Sequence, residues 1–84
     1  MSETPPTSSE LPSELVRVGA TIKAFRELRG MTQEQLSQAS YLSRAYVANI
    51  EAGRKKASMK AVARIATALQ VPQISIMVTP EVAA

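Results

Sequence analysis

Apolar residues return at intervals of three and four along much of the chain, and the gaps between these stretches hold helix-capping residues. Leu15, Val18, Ile22, Phe25 and Arg29 make one stripe, which predicts a helix from a Ser13 cap to about Arg29, ended by Gly30. Gly19 inside it costs roughly 1 kcal/mol against Ala, a cost that close approach of a neighbouring helix would offset. From Thr32 to Gly53 two short helix signals stand too close for anything but a tight turn between them. Thr32 and Gln35 have capping-box spacing at the start of a helix over Gln33–Ala39, with Leu36 as its buried residue. Ser43 can cap a third helix, Arg44–Ala52, whose Val47 and Ile50 face inward until Gly53 stops it, so that Arg44, Ala45, Ala48 and Asn49 face out. Ser58 can cap a fourth, with Met59, Val62, Ile65, Ala66 and Leu69 on one face and Val71-Pro72 barring its continuation. Over residues 73–79, Ile74, Met77 and Val78 fit a short fifth helix, whereas Ile74, Ile76 and Val78 fit a strand. The pattern therefore predicts an all-α bundle of four to five short helices.

Eighty-four residues make one domain with a small core. One Phe, two Tyr and no Trp among 45% apolar residues leave that core to Leu, Ile, Val and Ala, and argue against a base-stacking binder of single strands. The absence of Cys and His removes disulfides, thiol catalysis and nearly every zinc site. It also leaves no side chain that titrates near neutrality at its ordinary pKa, so neither an enzyme nor a cofactor is expected. No apolar run approaches the ~20 residues of a membrane span, and the N-terminus lacks the order of a signal peptide. Residues 1–12, rich in Ser, Thr, Pro and Glu, are expected to be a disordered arm, and residues 80–84 a tail, around a domain over residues 13–79. The net charge of +3 understates that domain: all ten Lys and Arg fall between Arg17 and Arg64, against Glu14, Glu27, Glu34 and Glu51, a balance of +6. A basic domain of this size attracts a polyanion.

The run from Val18 to Leu69 resembles the helix-turn-helix domain of phage repressor and Cro-type (XRE) regulators, which include restriction-modification controller proteins and many bacterial repressors. The resemblance is carried by Gly19, Ile22, Phe25-Arg26, Arg29-Gly30-Met31-Thr32-Gln33, Leu36, Leu42-Ser43, Tyr46-Val47, Ile50-Glu51, Gly53-Arg54, Ser58 and Ile65-Ala66-Ala68-Leu69. It implies a lambda-repressor-like fold that binds operator DNA with the second helix of the motif, residues 32–53, in the major groove. Arg26 matches the position whose guanidinium reaches the Glu that ends the recognition helix, here Glu51. Gln33 matches a phosphate-contacting glutamine, at a helix N-terminus whose free amides suit an anion. Arg44, Ala45 and Asn49 match base-reading positions: Arg44 fits guanine O6 and N7, Asn49 adenine N6 and N7, and Ala45 a thymine methyl. Ser43, Tyr46, Arg54, Lys55 and Lys56 are the further expected phosphate contacts, with the Tyr46 ring packing over helix 2. The chain departs from the family at Tyr41, where the turn usually has Gly, at Ser37 for Ala, at Ala57 for Pro and at Gln70 for Gly. A left-handed Tyr41 would carry about 1 kcal/mol of strain; otherwise the turn is reshaped and tilts the recognition helix. The region after helix 4 commonly makes a two-fold dimer in this family, which points to Ile74, Ile76, Met77 and Val78 as interface residues.

The function expected from this reading is sequence-specific regulation of transcription, as a repressor, by a homodimer on a pseudo-palindromic double-stranded operator. No membrane or small-molecule ligand is implied, and the location expected is cytoplasmic, on the nucleoid. A DNA-binding antitoxin would need a toxin-wrapping extension, and neither tail is long or apolar enough for one. A helical protein-interaction module would have no salt-dependent affinity for duplex DNA, and the basic cluster beside helix 3 argues against it.

Overall fold

The structure, a computed structural model, describes residues 6–77 as five helices: α1 (Pro6–Leu28), α2 (Gln33–Ser40), α3 (Arg44–Glu51), α4 (Met59–Leu69) and α5 (Gln73–Met77). No strand occurs among the described residues, so Ile74 to Met77 take the helical alternative. α2 packs on α3 and α4, α1 lies across α3, and α5 closes the bundle against α4 and α1. The core they enclose is aliphatic: Ile22, Leu36, Val47, Ile50, Val62, Ile65, Leu69 and Ile76 are fully buried. Each such side chain contributes roughly 1.5 to 3 kcal/mol relative to exposure.

Three helices start on hydroxyl caps. The Thr32 Oγ1 accepts from the Gln35 N–H at 3.0 Å while Gln35 Oε1 accepts from the Thr32 N–H at 2.8 Å, a complete capping box. Ser43 Oγ accepts from the Tyr46 N–H at 3.0 Å and Ser58 Oγ from the Ala61 N–H at 3.1 Å. Four helices end alike, with a left-handed residue whose successor's N–H returns to a carbonyl of the last turn. At Gly30 and Gly53 the residue type suits this (φ 68° and 79°); at Tyr41 and Gln70 it does not (φ 61° in both). The Leu42 N–H still reaches Ser37 O at 3.0 Å, so the turn between α2 and α3 keeps its usual path and Tyr41 carries the strain, about 1 to 2 kcal/mol. Its ring stays in solvent, 83% exposed.

Gly19 sits where α1 meets the end of α3. A Cβ there would overlap the Ile50 carbonyl oxygen and come within 2.8 Å of the Glu51 carbonyl oxygen. The lack of a side chain is what lets α3 dock this close.

Several expectations need correction. α1 begins at Pro6 rather than after Ser13, taking residues 6–12 out of the expected arm; proline suits a first helical position because its missing N–H has no partner there anyway. Arg29 lies past the end of α1 and is exposed, with its guanidinium donating to Gln70 Oε1 at 3.2 Å and to Gln70 O at 3.3 Å. Met59 opens α4 at the rim of the bundle and is 67% exposed, while Ala61 takes the inward place beside Val62. Ile76, expected at a dimer interface, is a core residue, because α5 is a helix that turns that side chain towards α1 and α4. Val78 and residues 80–84 lie outside the described residues.

Candidate nucleic-acid interface

The motif is fastened to the bundle through one buried carboxylate. Glu51, the last residue of α3, accepts from Arg26 Nε at 2.7 Å, from Arg26 Nη2 at 3.1 Å and from the Gln33 side-chain amide at 3.0 Å. Arg26 Nη1 also donates to Met31 O at 2.7 Å. A single fork on α1 thus holds the end of α3 and the loop into α2. The hydrogen bonds that Arg26 donates to Glu51 raise its guanidinium above its already high pKa, with burial opposing and the Glu51 and Glu27 charges adding to the rise. Arg26 is therefore permanently charged, and the pair is held by charge-assisted bonds in bidentate geometry.

That carboxylate also orients Gln33. One N–H of its amide goes to Glu51, which leaves the second N–H at the entrance of α2 for an external acceptor. Sequence patterning does not reveal this link, since residues 33 and 51 meet only through the fold.

Arg44 and Ala45, in the first turn of α3, are exposed, as is Ser43 before them. Asn49 lies farther along and is half-buried; its Oδ1 accepts from Arg54 Nε at 2.9 Å. Tyr46 packs against the core, and its hydroxyl oxygen accepts from the Ser58 N–H at 3.2 Å, which ties α3 to the cap of α4 and leaves the phenolic proton free to donate outward. Lys55 Nζ stands 5.6 Å from the centre of the Tyr46 ring, within cation–π reach. Arg54, Lys55 and Lys56 are all exposed in the loop that leaves α3. Exposed polar groups and cations thus follow one another from the α2 entrance, along α3, into the α3–α4 loop. Ile74 and Met77 are exposed on α5 instead.

The surface offers little for other chemistry. Among the described residues no group of three or more His, Cys, Asp or Glu is placed to hold a metal ion. An enclosed apolar cleft lined by Leu15, Val18, Ile50, Val62 and Met77 has a volume of only about 40 Å³. The larger concavities, about 320 Å³ beside Tyr41 and Arg64 and about 560 Å³ beside Tyr46, Lys55 and Met59, are open to solvent, unlike the burying pocket of a small-molecule site. None of the described helices is long and apolar enough to cross a membrane.

Comparison with known proteins agrees with this architecture. Residues 22–72 match the helix-turn-helix family HTH_3. The chain is 42% identical over 64 residues to an immunity repressor protein of Bacillus phage phi105, a match covering 76% of this chain and 44% of that protein. It is 36% identical over 55 residues to the transcriptional regulator ClgR of Mycobacterium tuberculosis, covering 66% and 49%. The chain thus spans about half the length of these curated relatives. Among solved structures it resembles the restriction-modification controller protein C.AhdI of Aeromonas hydrophila (TM-score 0.75, 31% identity, covering 76% of this chain and 97% of that one). A second likeness is to the clp gene regulator ClgR of Corynebacterium glutamicum (TM-score 0.72, 30% identity, covering 76% and 83%). The chain belongs to the helix-turn-helix family of phage repressor and Cro type, a family of DNA-binding transcription regulators.

Proposed function

We propose that this chain is a repressor that lays α3 in the major groove of a pseudo-palindromic operator, with Arg44, Ala45 and Asn49 against base edges. Gln33, Ser43, Tyr46, Arg54, Lys55 and Lys56 set its register through phosphates. The observation that carries this reading is the continuity of one surface: an outward face of α3, flanked by the oriented amide of Gln33 and by three exposed cations. Two copies related by a two-fold axis would place their α3 helices in successive major grooves about 34 Å apart. Ile74, exposed on α5, and Met77, partly exposed at the edge of the apolar cleft, are the residues we assign to that contact. The phage immunity repressor among the relatives supports repression as the outcome. A protein of this kind acts in the cytoplasm on the nucleoid.

Gel-shift titration on a selected pool of duplexes separates the roles. Arg44→Ala should relax sequence preference at one base pair, with a loss of about 1 to 3 kcal/mol on the preferred site. Lys55→Ala should weaken binding to all sequences alike and lower the slope of log affinity against log salt by about 1. Binding unchanged by either substitution contradicts the assignment.

A further inference from the structure

We infer that Arg54 is a positioning residue that fixes the Asn49 amide so that Asn49 reads hydrogen-bond acceptors, guanine above adenine. The inference rests on the DNA-binding reading above and names what that surface selects.

Asn49 and Arg54 are held together twice. The Arg54 N–H donates to Asn49 O at 2.9 Å as part of the turn that ends α3, and Arg54 Nε donates to Asn49 Oδ1, also at 2.9 Å. The first bond requires the left-handed Gly53 (φ 79°), which reverses the chain and returns Arg54 to the turn it has just left. The second settles the amide's orientation. Arginine carries donors only, so the atom facing Nε must be the carbonyl oxygen and the amide nitrogen must lie on the other side.

An asparagine free to turn pairs with adenine through both groups, accepting from N6 and donating to N7. Arg54 takes one of the two lone pairs of the Asn49 oxygen and holds it towards the α3–α4 loop, so the nitrogen is the group that Asn49 offers to a base. Guanine offers that nitrogen two adjacent acceptors, O6 and N7, whereas adenine sets the N6 amino group beside its single acceptor, donor against donor. The bond uses Nε alone, so the two terminal amines of Arg54 remain for a phosphate, and charge and orientation can be tested separately.

The test is selection from a randomised duplex pool, followed by gel shifts on guanine and adenine versions of the base pair whose preference is lost in Asn49→Ala. Wild type is expected to favour guanine there by about tenfold. Arg54→Ala should bring the two versions within about twofold, or favour adenine, while also lowering affinity for both. Arg54→Lys is the decisive variant: it keeps the positive charge but has a methylene where arginine has Nε. It should recover affinity and salt dependence while keeping the altered base preference of Arg54→Ala. A wild-type preference for adenine at that pair overturns the inference, as does a guanine preference that survives both substitutions. In either case sequence-specific binding stands. Failure of wild type to enrich any duplex overturns the DNA-binding reading and this inference with it.

Discussion

Glu51→Ala is expected to destabilise the fold by about 3 to 5 kcal/mol, most of what a domain of this size possesses. The substitution removes the acceptor for two bonds from Arg26 and one from Gln33. Arg26 is only 9% exposed and keeps a single further partner, Met31 O, so its charge is stranded where water cannot replace the lost carboxylate. Most of the cost comes from that stranded charge. Arg26→Ala/Glu51→Ala together should therefore cost clearly less than the sum of the two single changes, a non-additivity readable in urea titrations followed by circular dichroism. A loss under about 1 kcal/mol for Glu51→Ala would place the pair with screened surface ion pairs and refute its role as the fastening of α3.

Gly19→Ala should be the second most damaging single change, at about 3 kcal/mol. On an exposed stretch of helix the same exchange stabilises by about 1 kcal/mol, through the better helix propensity of alanine. Here the added methyl meets the carbonyl oxygens of Ile50 and Glu51, main-chain atoms that no rotamer change can move aside. α1 and the end of α3 must separate, which shifts the recognition helix and loosens the Arg26–Glu51 fork together. Ala20, the next residue and exposed, supplies the control: Ala20→Gly should also destabilise, by about 1 kcal/mol. Opposite exchanges at adjacent sites then share a sign, which a propensity effect alone cannot produce. Stabilisation by Gly19→Ala in thermal unfolding would show that the close approach of α1 and α3 is not needed.

Which features could be read from the sequence follows from how local their causes are. The Thr32, Ser43 and Ser58 caps depend on chemistry within three residues, and the buried faces of α3 and α4 on a period that several residues repeat. The end of α1 is punctuated by Gly30, but its start has no capping box, and the helix runs on to Pro6. Five residues of α5 span too little chain to separate a period of two from one of 3.6. Ile76 therefore could not be told from Ile74 until α1 and α4 were in place to cover it. At Tyr41 the residue argues against a left-handed turn, and the turn forms because the burial of Leu36, Ser37 and Ser40 on one side and Val47 on the other fixes its ends. The pairing of Arg26 with Glu51 came from resemblance, not from spacing. The links that shape the proposed interface, Gln33 to Glu51 and Asn49 to Arg54, were invisible for two reasons. The first joins distant segments. The second spans five residues across a chain reversal, where neither helical nor strand spacing brings side chains together.

The claim on which the rest depends is that the outward side of α3, with its flanking amide and cations, is the surface that meets duplex DNA. Amide-resolved NMR of the labelled chain titrated with its selected duplex tests this most directly. The largest shift changes are expected at Gln33, from Ser43 to Tyr46, at Asn49 and from Arg54 to Lys56, with the outer residues of α1 unmoved. Changes concentrated on α1 or α5 while α3 stays silent would contradict it.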